Sequence, residues 1–159
     1  MPGVGKSTAG VVLAKVAGYQ FIDADLLIQK AEGKKLSEII EEVGVDGFLE
    51  IENRVNASVR AKRSVIATGG SAVYGEAAMK HYKKTAVIVY LKTSYRVLSR
   101  RLRNLKSRGV VLREGQDLKA LYNERVPLYE KYADIIINQD GLGIEETVAE
   151  ILDKIANME

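Results

Sequence analysis

A chain of 159 residues with 47% hydrophobic and 28% charged residues has the composition of a folded globular domain, not of a disordered or fibrous one. The absence of cysteine excludes disulfide scaffolds and thiolate zinc sites, and a net charge of only +3 gives weak grounds for a nucleic-acid partner. A phosphate-rich substrate accounts for the clustered arginines as well as nucleic acid would, so no nucleic-acid partner is expected. The sequence contains no signal peptide, no lipidation motif and no apolar run of about 18 residues. A monomeric cytoplasmic protein without a membrane partner is the expectation.

The first stretch with chemistry is Gly3-Val4-Gly5-Lys6-Ser7-Thr8. It reads as the second half of a phosphate-binding loop, G-x-x-x-x-G-K-[ST]. Glycines there turn backbone N–H groups inward to cradle phosphate, and the following helix adds its positive end. In such a loop Lys6 would reach the β- and γ-phosphates of a nucleotide, and the Ser7 hydroxyl would ligate Mg²⁺. The bland alternative is a Gly-rich turn with an exposed lysine.

Further along, residues 6–17 are expected to be helical, ended by Gly18. A short strand, Tyr19 to Ile22, runs into Asp23-Ala24-Asp25. A helix over 25–31 breaks at Gly33. Leu36, Ile39, Ile40 and Val43 recur at helical spacing up to Gly44. A longer helix covers 46–61, with Phe48, Ile51, Val55 and Val59 on one stripe. Ser64 to Ala67 is a strand leading into Thr68-Gly69-Gly70-Ser71. Residues 75–82 form a helix, and Ala86 to Leu91 form an apolar strand of the kind covered on both faces. A basic helix occupies 94–105. Residues 106–116, with the apolar triplet Val110-Val111-Leu112, read as a mobile lid rather than core. A helix over 117–132 is kinked or divided by Pro127. Ile135 to Ile137 is the last strand, and a helix over 144–157 turns Val148, Ile151, Leu152 and Ile155 to the sheet. Strands alternating with helices imply an α/β fold with a parallel sheet.

Several residue groups carry candidate chemistry. Asp23 and Asp25 are two apart at a strand end, so period-two geometry points both carboxylates to one side if the strand persists. One can help hold Mg²⁺ or accept a proton, and the other can accept substrate hydroxyls. The alternative is a turn or cap, with Asp25 capping the next helix. Glu52 falls on the apolar stripe. It either holds a substrate-binding arginine, touches substrate, or sits at the stripe edge with its head in solvent. Gly69 and Gly70 permit close ligand approach at a strand end, or simply make a turn. Of the late basic residues Arg96, Arg100, Arg101, Arg103, Lys106, Arg108, Arg113 and Arg125, composition selects none. The single histidine, His81, reads as surface, so zinc hydrolase and catalytic-triad chemistry lack support.

Together these segments resemble the shikimate kinases, within the nucleoside-monophosphate-kinase-like P-loop proteins. The likeness includes Gly3 to Thr8, Phe21 to Asp25 (similar to F-x-D-x-D) and Gly44 to Glu52 (similar to G-E-x-x-F-R-x-x-E). It continues through Thr68 to Ser71, Arg108 to Leu112 (where the family has R-P-L-L), and Arg125 to Tyr129 (similar to R-x-P-L-Y). The resemblance implies a three-layer α/β/α P-loop kinase fold over residues 1–159, with acceptor-binding helices at 24–62 and a lid at 104–117. It implies transfer of the ATP γ-phosphoryl group to the 3-hydroxyl of shikimate, with Mg²⁺. Position by position, Gly3 to Thr8 would hold the phosphates, Lys6, Asp23 and Arg108 would be catalytic, and Ser7 and Asp23 would serve the metal. Asp25, Gly69, Gly70 and Arg125 would bind the acceptor, with Arg125 on its carboxylate. Arg101 would pack on adenine, and Arg108 would reach the phosphates from the lid.

Leu49 stands where the family pattern has a carboxylate-binding arginine, Ser71 where it has a third glycine, and Gly109 where it has the lid proline. Leu49 and Ser71 are both expected in the acceptor pocket, which leaves open a different small hydroxylated acceptor, or a nucleotide-binding protein without catalysis. The first glycine of the phosphate-loop pattern would fall just before Met1. In the family the strand feeding that loop is central in the order 2-3-1-4-5. The expectation is therefore a shortened N-terminus, with Met1 an internal methionine. The strands at 64–67 and 86–91 would then have unpaired edges or pair with each other, and folding or ATP binding would be weak.

Overall fold

Glycines and short polar caps delimit the elements of this computed structural model, which describes residues 1–102 and 110–158. Helix α1 (Lys6–Ala17) starts at Gly5 and stops at Gly18, whose left-handed backbone lets its N–H reach the Ala14 and Lys15 carbonyls. Strand β1 (Gln20–Asp23) passes directly into α2 (Ala24–Glu32), with the Asp23 side chain accepting from the Asp25 N–H at 2.9 Å. Helix α3 (Leu36–Ser58) bends at Gly44, where φ is 73° and ψ is 179°. That non-helical backbone separates two helical runs, one before Gly44 and one after it, as the periodicity predicts. The second run ends at Ser58 rather than 61 because Val59 is already extended.

Strand β2 (Ser64–Ala67) is followed by a 3-10 turn (Ala72–Tyr74), which the sequence pattern did not suggest, and α4 (Glu76–Thr85). Strand β3 (Val89–Lys92) begins three residues later than the apolar run. The Asp134 carboxylate takes the Ile88 N–H, and the ladder starts only at Val89. Val87 is left 45% exposed, so the run is not covered on both faces along its length. Helix α5 (Tyr95–Arg101) ends before the expected residue 105; residues 103–109 lie outside the described residues. Helix α6 (Leu118–Tyr132) runs undivided through Pro127, followed by β4 (Ile135–Asn138) and α7 (Ile144–Ala156).

The four strands pair in parallel, as two ladders. In β1–β2, Gln20 lies opposite Ser64 and Asp23 opposite Ala67; in β3–β4, Val89 lies opposite Ile135 and Lys92 opposite Asn138. Among the described residues no ladder joins β2 to β3, as expected for unpaired inner edges. A cavity of about 840 Å³ lies between them, lined by Val65 and Ile66 of β2, Tyr90 and Leu91 of β3, Leu13 of α1 and Ile155 of α7. Helix α1 packs on β1, β2 and α7, and α7 packs on β4. The helices, not a continuous sheet, therefore hold the two ladders together.

Two apolar clusters form the core. One gathers Val4, Tyr90, Leu91, Leu98, Leu121, Ile137 and Ile151; the other gathers Ile28, Ile39, Phe48 and Val55 between α2 and α3. Val110 and Leu112 pack on the first cluster and Val111 on the second. The triplet expected to stand clear of the core is thus anchored to it, because three adjacent apolar side chains gain by burial. Among the described residues no helix is long and apolar enough to cross a membrane.

Helices α3 and α4 are joined by buried polar contacts. The Tyr82 hydroxyl donates to Asn56 Oδ1 at 2.7 Å, and Asn56 Nδ2 donates to the Glu52 carbonyl at 2.9 Å. Tyr82→Phe strands the buried Asn56 oxygen. It is expected to lower the unfolding free energy by about 1–3 kcal/mol, read as a lower urea midpoint at unchanged slope.

Candidate active site

The β1–β2 register brings two loop ends together. Asp23 and Ala67 are the last residues of neighbouring parallel strands, so the start of α2 and the Thr68–Ser71 loop emerge side by side. Ligand crevices of parallel sheets lie outside these carboxyl ends. Here a cavity of about 360 Å³ opens against the N-terminus of α1.

At one end is the glycine loop. Gly3 and Gly5 have φ of 73° and 81°, the left-handed backbone that glycine adopts without strain. A Cβ on Gly3 would also lie 2.7 Å from Leu102 Cδ2. No side chain caps α1, so its first N–H groups remain for an anion. Lys6 Nζ donates to the Met1 carbonyl at 2.6 Å. Burial lowers the Lys6 pKa to about 8, with Asp25 opposing the fall and Arg125 adding to it.

At the other end are acceptors and one guanidinium. Asp23 closes β1 and caps α2, while Asp25 lies in the first turn of that helix. The strand does not persist through both, and the capping residue is Asp23, not Asp25. Both carboxylates still line the cavity. Burial raises the Asp25 pKa, with Asp23 adding to the rise and Lys6 opposing it. Gly69 and Gly70 are glycines for space rather than for backbone angle. A Cβ on Gly69 would sit 2.8 Å from Glu52 Oε1 and 3.1 Å from Asp25 Oδ1. One on Gly70 would sit 3.0 Å from Arg125 Nη1 and 3.1 Å from the Tyr129 hydroxyl.

Arg125 is 3% exposed, yet among the described residues no carboxylate pairs with it. Its Nη2 donates to the Val111 carbonyl at 3.2 Å, and its Nε has no partner. Glu52 is 1% exposed, which removes the solvent-facing reading. Its Oε2 accepts from the Ser71 hydroxyl at 2.6 Å, and its Oε1 has no partner. Buried, unpaired charged atoms are costly unless a ligand completes them. A small molecule bearing a carboxylate and several hydroxyls would meet both ends of this inventory.

The cavity therefore gathers Gly3, Gly5, Lys6, Ser7, Thr8, Asp23, Asp25, Gly69, Gly70 and Arg125 from the expected set. Val4 does not line it; its side chain is 3% exposed and belongs to the core. Arg101 is exposed on α5 and does not line the cavity, and Arg108 lies outside the described residues. Ser71 lines the cavity, but Leu49 does not: it packs against the α2–α3 apolar cluster. Two contributors were not anticipated, the Ser71–Glu52 hydrogen bond and the Tyr129 hydroxyl, which donates to the Gly70 carbonyl at 2.6 Å. Only the R-x-P-L-Y match drew attention to Tyr129, and nothing in the linear sequence pairs Ser71 with Glu52.

Comparison with known proteins agrees with this geometry. The family model described as shikimate kinase matches residues 2–156. A shikimate kinase from Thermodesulfovibrio yellowstonii is 39% identical, over 94% of this chain and 88% of its own length. One from Sulfurihydrogenibium is 35% identical, over 96% of this chain and 92% of its own. Among solved structures, the shikimate kinase from Acinetobacter baumannii in complex with shikimate superposes with a TM-score of 0.86 at 30% identity, covering 99% of this chain and 89% of that one. The crystal structure of the Aquifex aeolicus shikimate kinase gives 0.82 at 30% identity, covering 98% and 92%. With its glycine loop, parallel strands and converging cavity residues, the chain belongs to the shikimate kinase family.

Proposed function

We propose that this protein is an ATP-dependent kinase that moves the γ-phosphoryl group of ATP to the 3-hydroxyl of shikimate, in the cytoplasm and as a monomer. What carries this reading is one cavity that joins the glycine loop to a buried Arg125, whose Nε has no partner among the described residues, and to the unpartnered Glu52 Oε1 beside Asp25. Its partners are ATP and a small hydroxylated acid, with no nucleic acid or membrane surface. The absence of cysteine accords with a reducing compartment.

In this reading the backbone of Gly3 to Thr8 and the α1 N-terminus receive the phosphates, with Lys6 on the transferring group. Arg108 acts from the lid at 104–117, and Arg101 packs on adenine. The helices over 24–62 and Arg125 hold the acceptor: Arg125 binds its carboxylate and Asp25 its hydroxyls, against Gly69 and Gly70. The acceptor oxygen bonds to the γ-phosphorus as the bond to the bridging oxygen of ADP breaks, and Asp23 takes the hydroxyl proton. Among the described residues no group of three or more His, Cys, Asp or Glu forms a metal cage. That suits Mg²⁺, which takes one or two protein ligands and completes its shell with phosphate oxygens and water. Ser7 and Asp23 would hold it, and it would spread the charge of the transferring group.

A second reading, a different small hydroxy acid, has one observation in its favour. Leu49 faces an apolar cluster, so position 49 brings no guanidinium to the acceptor's carboxylate. A panel of hydroxylated acids assayed by ADP release decides between the two. Turnover of shikimate above every other acid is expected; turnover of another acid alone would replace the lead reading. ATP binding with no acceptor-dependent turnover would replace both.

Lys6→Ala is expected to lower kcat by about 10²–10³-fold. Arg125→Ala should raise the acceptor KM about tenfold to a hundredfold with little change in the ATP KM, because a charge-assisted hydrogen bond is lost. Lys6 must be protonated to serve phosphate, so kcat/KM for ATP should fall as pH rises through about 8. A steady-state pH profile reads this directly.

A further inference from the structure

Leu49 and Glu52 are three residues apart on α3, which makes their side chains neighbours on the helix surface. A cation at 49 would lie within reach of the buried Glu52 carboxylate, one helical turn away. Leucine provides none. The partner present comes from another part of the chain: Ser71, beyond β2, donates its hydroxyl to Glu52 Oε2 at 2.6 Å. Ser71 is itself only 5% exposed, and its φ of −87° and ψ of −6° are open to any L-residue. The site accepts a side chain there without strain. With one oxygen held, the other, Oε1, has no partner and looks over Gly69 beside Asp25 Oδ1.

We propose that Ser71 is a positioning residue of the acceptor pocket: its hydroxyl fixes Glu52 so that Oε1 receives an acceptor hydroxyl beside Asp25, replacing the hold that a cation at position 49 would exert. The inference rests on the acceptor reading given above. It also accounts at once for two of the three departures from the family pattern, since the residue lost on α3 and the residue gained after β2 would serve the same carboxylate.

The surroundings make the arrangement titratable. Glu52 is faced by Asp25 from α2, Arg125 and Tyr129 from α6, Tyr82 from α4, and Ser71. Burial raises its pKa to about 7, the Ser71 hydrogen bond opposes the rise, Asp25 adds to it and Arg125 opposes it. The ionised carboxylate is the better acceptor of a hydroxyl, so acceptor affinity rises with pH through this titration. Removing the Ser71 hydroxyl withdraws support from the charged form and moves the limb to higher pH, by about one unit for a hydrogen bond to a charged group.

The test uses the full chain and two readouts. The first is a ¹³C-carboxyl NMR titration of Glu52 without substrates, assigned by its loss in Glu52→Gln. The second is the pH dependence of the KM for shikimate and for ATP. In Ser71→Ala, the Glu52 titration and the limb in shikimate KM should move up together by about one unit. The shikimate KM at pH 7 should rise about fivefold with the ATP KM unchanged. Glu52→Gln should abolish the limb, and Leu49→Arg added to Ser71→Ala should bring it back down. A Glu52 titration that stays in place in Ser71→Ala, equal changes in both KM values, or no restoration by Leu49→Arg would overturn the proposal. Absence of shikimate turnover in the unmodified protein would overturn the acceptor reading instead, and the NMR titration would still decide whether Ser71 holds Glu52.

Discussion

The β1–β2 ladder ends with Asp23 opposite Ala67, and this register brings Asp23 and Asp25 beside the loop of Gly69, Gly70 and Ser71. A slip by one residue would turn the side chains of β1 to the opposite face. It would also part the start of α2 from the loop that carries Gly69, Gly70 and Ser71. The register is held from outside the sheet by α1, which packs on both strands. Gly10 lets this helix approach closely: a Cβ there would lie 2.8 Å from the Phe21 ring. The helix that presents its N-terminus to the cavity is therefore the one that sets the strands behind it.

The site is electrostatically incomplete by itself. Arg125 Nε and Glu52 Oε1 are buried without partners, and Lys6 is drawn below its ordinary pKa. Such groups oppose folding, since burial removes their water and returns little. Their cost is offset by the two apolar clusters and by the Asn56–Tyr82 contacts that tie α3 to α4 beside the cavity. The groups that a well-packed core would exclude are those that a charged, hydroxylated ligand would satisfy, which is the usual relation between strain in a protein and its function.

Among the described residues the two ladders meet through helices α1 and α7. Each pair has its own backbone bonds, but across the intervening cavity the contacts come from side chains of α1, α7, Met1 and Val4.

Much was legible in the linear sequence, for identifiable reasons. Gly5 and Gly18 bound α1 because only glycine takes those left-handed angles cheaply, and the phosphate loop is a local motif whose meaning lies in adjacent residues. Period 3.6 placed Phe48 and Val55 in the core. The family likeness named the cavity residues Asp23, Asp25, Gly69, Gly70 and Arg125. What failed locally did so where a distant group intervened: Asp134 takes the Ile88 N–H and delays the start of β3. Only the tertiary structure decided that Glu52 is buried, that Leu49 packs on the α2–α3 apolar cluster instead of lining the cavity, and that Ser71 holds the Glu52 carboxylate. These are contacts between residues 19 or more apart in sequence, or choices between two faces of one helix. Local propensity does not encode them; they arise when α2, α3 and the loop after β2 compete for the same small volume.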